Sequence, residues 1–109
     1  MDEYFSLPSE SDFEDFLDEN KDWYYNTCFQ KVHDNFYGDN LEEVEIMVFL
    51  FQDSPGTEYV VNVKKEDYEL NLSYVLAYFE DIEDYEMCKK VKDLIENIRL
   101  YNEIKIEKE

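Results

Sequence analysis

A chain of 109 residues with 29 acidic and 10 basic side chains has the size of one domain and a formal net charge of −19, so its length argues against a separate cofactor domain. Such a charge repels nucleic acid and anionic membrane surfaces, and any charged partner is expected to be basic. Ten Tyr, eight Phe and one Trp are far more than a solvating acidic tail carries, so the expectation is a single folded acidic domain over residues 1–109.

Taken in chain order, Ser9 to Asn20 comes first: Ser11 and Glu14 have capping-box spacing, and Phe13, Phe16 and Leu17 fall at i, i+3, i+4, predicting a short amphipathic helix. From Asp22 to Tyr37, Tyr25, Cys28, Phe29, Val32 and Phe36 form a helical stripe, and Gly38 is expected to end it in a left-handed or turn conformation. Val44 to Phe51 reads as a central strand with Val44, Ile46, Val48 and Leu50 on one face and Glu45, Met47, Phe49 and Phe51 on the other. The turn Asp53 to Thr57 and the β-branched run Glu58 to Val63 complete an antiparallel hairpin.

Asn71 is a candidate cap for a helix carrying Leu72, Val75, Leu76, Phe79 and Ile82, and Asp84 for a second carrying Cys88, Val91, Leu94, Ile95 and Ile98. Packed together they form a helical hairpin with its tip at residues 80–84, and the tail from Tyr101 to Glu109 either adds an edge strand or frays. The fold class is thus α+β: N-terminal helices, a small antiparallel sheet with a central hairpin, and a C-terminal helical hairpin.

The run from Asp84 through Tyr85, Glu86, Met87, Cys88 and the lysines to Asp93, Leu94, Ile95 and Ile98 resembles the UVR motif. That motif orders an acidic residue, an aromatic, Glu, small residues, a basic-Asp pair and aliphatics; Met87 and Lys89 here replace some of the small residues. In that family the hairpin is a protein-protein contact module of excision-repair subunits and chaperone-associated proteins, so the resemblance implies a contact hairpin.

Catalytic chemistry finds little to work with. The one histidine, His33, has Phe29, Phe36 and Tyr37 as helical neighbours, no serine lies in a nucleophile-elbow pattern, and two glycines leave no room for a phosphate loop. Asp34 to Glu43 offers oxygen ligands around Gly38 without the ligand spacing of an EF-hand loop. Cys28 and Cys88 lie outside any C-x-x-C pair and read as reduced, buried thiols. The chain is expected to be no enzyme and to hold no cofactor or metal. It lacks an apolar run of membrane length, and Met1-Asp2-Glu3 lacks a basic leader, which predicts a cytoplasmic protein.

Charge is what remains. Residues 1–45 contain 14 acidic and 2 basic residues, a net −12, and no basic residue interrupts the stretch from Glu66 to Glu86. Carboxylates three or four apart on a helix stand roughly 5–6 Å from one another, a spacing of the same order as strand phosphates. Two groups are therefore the candidate partner-binding residues: Asp12, Glu14, Asp15, Asp18, Glu19 and Asp22 with Trp23, and Glu80, Asp81, Glu83, Asp84 and Glu86. Phe16 and Tyr24 are further aromatics that could join the first group.

In size, charge and aromatic content the chain resembles small phage-type DNA-mimic inhibitors directed against restriction or CRISPR systems. That resemblance implies occupation of the basic nucleic-acid-binding surface of another protein, a nuclease or defence effector, with no direct binding of nucleic acid. The alternative is a small interaction adaptor in which Met47, Phe49 and Phe51, or the helical hairpin, meet a partner or a second copy of the chain, acidity serving solubility. A carboxylate-based metal enzyme is a distant third.

Overall fold

The structure, a computed structural model, describes residues 4–108; Met1, Asp2, Glu3 and Glu109, on which the leader and tail expectations partly fall, lie outside the described residues. The order is β1 (Tyr4–Leu7), α1 (Asp12–Glu19), α2 (Lys21–Tyr37), β2 (Glu43–Phe51), β3 (Glu58–Lys64), a 3-10 turn (Lys65–Asp67), α3 (Tyr68–Asp81) and α4 (Tyr85–Lys108). The fold is α+β as expected, but the sheet is mixed. β2 is central, antiparallel to β3 and parallel to β1, a strand that the pattern did not reveal. Parallel neighbours need a long crossover, and α1 with α2 supplies it between β1 and β2.

The expected division of β2 into two faces fails at a bulge. Glu45 pairs with Asn62 and Met47 with Val61, leaving Ile46 as the extra residue. An added residue shifts the two-residue period, so Val44 and Ile46 on one side of the bulge and Met47, Phe49 and Phe51 on the other all join the core. Val48 is buried but stands apart from that core, and Leu50, with Val60 beside it on β3, is partly exposed on the open face. With Met47 and Phe49 fully buried and Phe51 nearly so, these three side chains are not available to a partner.

α2 has the expected stripe, with Cys28, Phe29 and Val32 buried, but Gly38 at its end has φ −105. Glycine is needed there for space: a Cβ would lie 2.5 Å from the Asp34 carbonyl oxygen. The left-handed residue is Asn40, with φ 53. The loop is held by buried Asn35, whose Nδ2 donates to the Leu41 carbonyl at 2.9 Å and to the Tyr68 hydroxyl, while the Leu41 N–H donates to Asn35 Oδ1 at 3.0 Å.

The helical hairpin forms as expected, although α3 starts at Tyr68, a turn before Asn71, because the 3-10 turn leads straight into it. Ile82, assigned to its apolar side, falls in the tip and is exposed. Glu83 takes a φ of 59 to turn the chain, and the Met87 N–H donates to Asp84 Oδ1 at 3.2 Å, the expected cap of α4. The tail does not become a strand. No Gly or Pro stands between Ile98 and Lys108, so α4 continues to Lys108.

α1, α2 and α3 lie against one face of the sheet and α4 packs mainly on α3. At 24 residues α4 is about 36 Å long, against about 21 Å for α3, and it runs past the start of its neighbour. The molecule is consequently elongated, 50 × 34 × 22 Å, with a radius of gyration of 15.6 Å where a rounder domain of this length has about 13 Å.

Candidate protein-binding surface

α1 is anchored by its aromatic face. Phe13 and Phe16 meet the Phe49 ring at 4.8 and 5.6 Å, and Phe5 meets Phe16 at 5.5 Å. This turns Glu14, Asp15, Asp18 and Glu19 to solvent. Asp12 has a structural task instead: its Oδ2 accepts from the N–H and the hydroxyl of Ser9 at 3.1 and 2.9 Å, while the Ser11 side chain caps nothing. Trp23 sits edge-on to Phe5 at 4.6 Å and 5.9 Å from Phe16, so it is a partly exposed rim of the core; Phe16 and Tyr24 are likewise half-buried.

The second group lies at the hairpin tip, where Glu80, Asp81, Glu83 and Glu86 are exposed and Asp84 is taken up by its cap. A pair of tyrosines joins this tip to the first group. Tyr25 of α2 stacks on Tyr78 of α3 with ring centroids 4.5 Å apart, and the Tyr78 hydroxyl donates to Asp22 Oδ1 at 3.3 Å. Burial and the Asp22 carboxylate both push the Tyr78 hydroxyl pKa up, so it remains a proton donor. Through these contacts the start of α2 lies beside the last turn of α3, which brings the α1–α2 corner and the α3–α4 tip to the same end of the molecule.

Helix dipoles sharpen the significance of these positions. Asp22 and Glu86 stand in first turns, where negative charge is favourable. Asp18 and Glu19 stand in the last turn of α1, and Glu80 and Asp81 in that of α3, with no basic residue in either turn. Glu80 and Asp81 oppose the negative end of α3 at about 0.3–1 kcal/mol each, whereas for Asp18 and Glu19 the start of α2, directly after Asn20, offsets the cost. Lys21, which pairs with Asp18 at 3.8 Å between two exposed side chains, adds little to that offset.

Sequence reasoning missed three residues of this end. Tyr78, which joins the two groups, carries no local signal, because its role depends on α2. Tyr85 and Ile82, 68% and 46% exposed, put apolar area among the tip carboxylates; an aromatic between Asp84 and Glu86 was the available clue for Tyr85. Farther along α4, Lys89, Lys90 and Lys92 bound the acidic surface, Lys89 pairing with Asp93 at 3.5 Å.

Elsewhere the side chains serve the fold. His33 shares a 3.1 Å hydrogen bond with Asp34 on the surface, and this bond, with one from Gln30, holds the Asp34 carboxyl below its usual range. Both cysteines are free and buried, and burial pushes the Cys28 thiol up to about 11 despite hydrogen bonds with Tyr24 and Asn71. Among the described residues no group of three or more His, Cys, Asp or Glu is placed to hold a metal ion, and no helix is long and apolar enough to cross a membrane. No protein-family model, curated protein or solved structure matches the chain.

Proposed function

We propose that the protein is an acidic binding protein whose corner and tip enter the basic nucleic-acid-binding groove of another protein, such as a nuclease or defence effector, as a DNA or RNA mimic that inhibits it in the cytoplasm. The observation that carries this reading is the contact of Tyr78 with Asp22, which joins the acidic α1–α2 corner to the tip where Glu80 and Asp81 stand at the C-terminal end of α3. Solubility requires no carboxylate at those two positions, and folding disfavours them, whereas a basic groove compensates both at once. Tyr85 and Ile82 supply the apolar contact that charge alone lacks.

The test immobilises the protein, passes lysate from a candidate host over it and elutes with salt from about 0.1 to 1 M, beside the variants D18N/E19Q/D22N and E80Q/D81N/E83Q/E86Q. A basic protein that elutes early in the gradient, is retained poorly by both variants and releases a nucleic-acid probe when the wild-type protein is added would support the reading. Equal retention by wild type and both folded variants would sink it. A partner that ignores salt but is lost on Tyr85→Ala would instead favour the adaptor reading, which the exposed Tyr85 and Ile82 of the hairpin keep in view.

A further inference from the structure

We infer that the end opposite the acidic one is a self-association surface that takes a second copy of this chain. α2 and α4 both finish there: the Asn97 Nδ2 donates to the Tyr37 hydroxyl at 2.7 Å, and Phe36 meets Tyr101 at 5.7 Å. Arg99 pairs with Glu69 in the first turn of α3, so the remainder of α4 to Lys108 runs about 14 Å past the start of that helix, with the end of α2 beside Tyr101. Tyr37, Leu41, Leu100, Tyr101 and Ile104 are between 42% and 57% exposed in this one region. Leu100, Tyr101 and Ile104 recur at helical spacing on the side of α4 that carries Asn97 and meets Tyr37, and Asn40 ties the loop before Leu41 to the Tyr101 hydroxyl at 3.4 Å.

Charge and area select the occupant. Lys64, Lys65, Arg99 and Lys105 lie around this end, where Lys65 pairs with Glu42 at 3.7 Å and Lys105 borders a groove with Glu42, Glu66 and Glu69; against Asp39, Glu43 and Glu103 as well, these four cations leave only a small part of the chain's negative charge here. Joined here tail to tail, two copies of a 50 Å molecule hold their acidic ends on the order of 100 Å apart, many Debye lengths, so that the charge of −19 opposes this pairing less than any other. Five half-exposed large side chains offer roughly 400–500 Å² per copy, or about 800–1,000 Å² in all, below the roughly 1,200 Å² of a stable interface and within the range of weak, transient ones. A symmetric, weak and reversible dimer meets these conditions, because the same patch then faces itself across a two-fold axis.

Sedimentation velocity between about 10 μM and 1 mM, at low and high salt, reads the result directly. The dimer fraction is expected to grow with concentration and also with salt, since screening removes repulsion while an apolar contact is indifferent to it. Leu100→Glu with Ile104→Glu should return the protein to monomer with its circular dichroism unchanged. Leu41→Ser, in the loop, should weaken the dimer without touching the helix, whereas Val60→Glu on the open sheet face should leave it intact. A monomer at 1 mM in high salt would overturn the inference and leave the patch to a different apolar partner. A dimer unaffected by the α4 double variant and by Leu41→Ser, or one abolished by Val60→Glu, would overturn it equally.

Discussion

The two ends of the molecule differ in which helices stop there and in what those helices stop on. At the acidic end α1 and α3 finish on carboxylates, and a tyrosine stack with one hydrogen bond joins α2 to α3. At the other end the last turns of α2 and α4 expose Tyr37, Leu100, Tyr101 and Ile104, with Lys64, Lys65, Arg99 and Lys105 offsetting part of the acidic charge. One end is organised against its own helix dipoles and the other against water, and both arrangements cost the isolated monomer stability. A surface feature that folding disfavours is a better pointer to function than one it would choose unaided.

The largest separation of the two ends should come from the core beneath α1. Phe49 is fully buried and meets Phe5, Phe13 and Phe16, so Phe49→Ala should cost about 3–5 kcal/mol in urea unfolding. The loss should fall on the acidic corner first, with hydrogen exchange rising in α1 before it rises at the Tyr37–Asn97 contact; equal exchange at both would mean that the ends unfold as one unit.

Midway between the ends, Cys28 offers a pH test. Its thiol is raised from 9.0 to about 11, chiefly by burial, so the folded protein holds the proton more tightly than the unfolded chain does. That stability is complete below about pH 9 and is lost as pH rises through 11, about 2–3 kcal/mol in all. Burial also raises the Tyr24 hydroxyl, which acts in the same direction. Melting temperatures at about pH 8 and 10.5 should fall more steeply for wild type than for Cys28→Ala.

Smaller effects distinguish carboxylates that fold the acidic end from those that only burden it. Asp84→Ala removes the cap of α4 and should cost about 1 kcal/mol. E80Q/D81N should do the reverse, stabilising by about 0.3–1 kcal/mol for each carboxylate relieved at the end of α3. Thermal melts at low salt measure both, and a destabilised E80Q/D81N protein would show that these side chains serve the fold after all.

Local pattern was enough for the helices as far as Ile98, the β2–β3 hairpin, the Asp84 cap and the apolar stripes of α2 and α4, because each rests on periodicity or on a cap within a few residues, but not for the continuation of α4 to Lys108. The same reading singled out the carboxylates of the two candidate groups but could not tell Asp12 and Asp84, held by backbone or hydroxyl donors, from Glu80 and Asp81, whose carboxylates stand exposed at the end of α3. Three features came only from the tertiary structure: the parallel strand Tyr4–Leu7, the bulge at Ile46 and the meeting of Asp22 with Tyr78. A four-residue strand has too few alternations to register, and a bulge is defined by its partner strand. The acidic end joins residues 56 positions apart, and the sequence by itself has no term for that contact; it set how much charge the protein carries, and the packing of α2 on α3 set where that charge is concentrated.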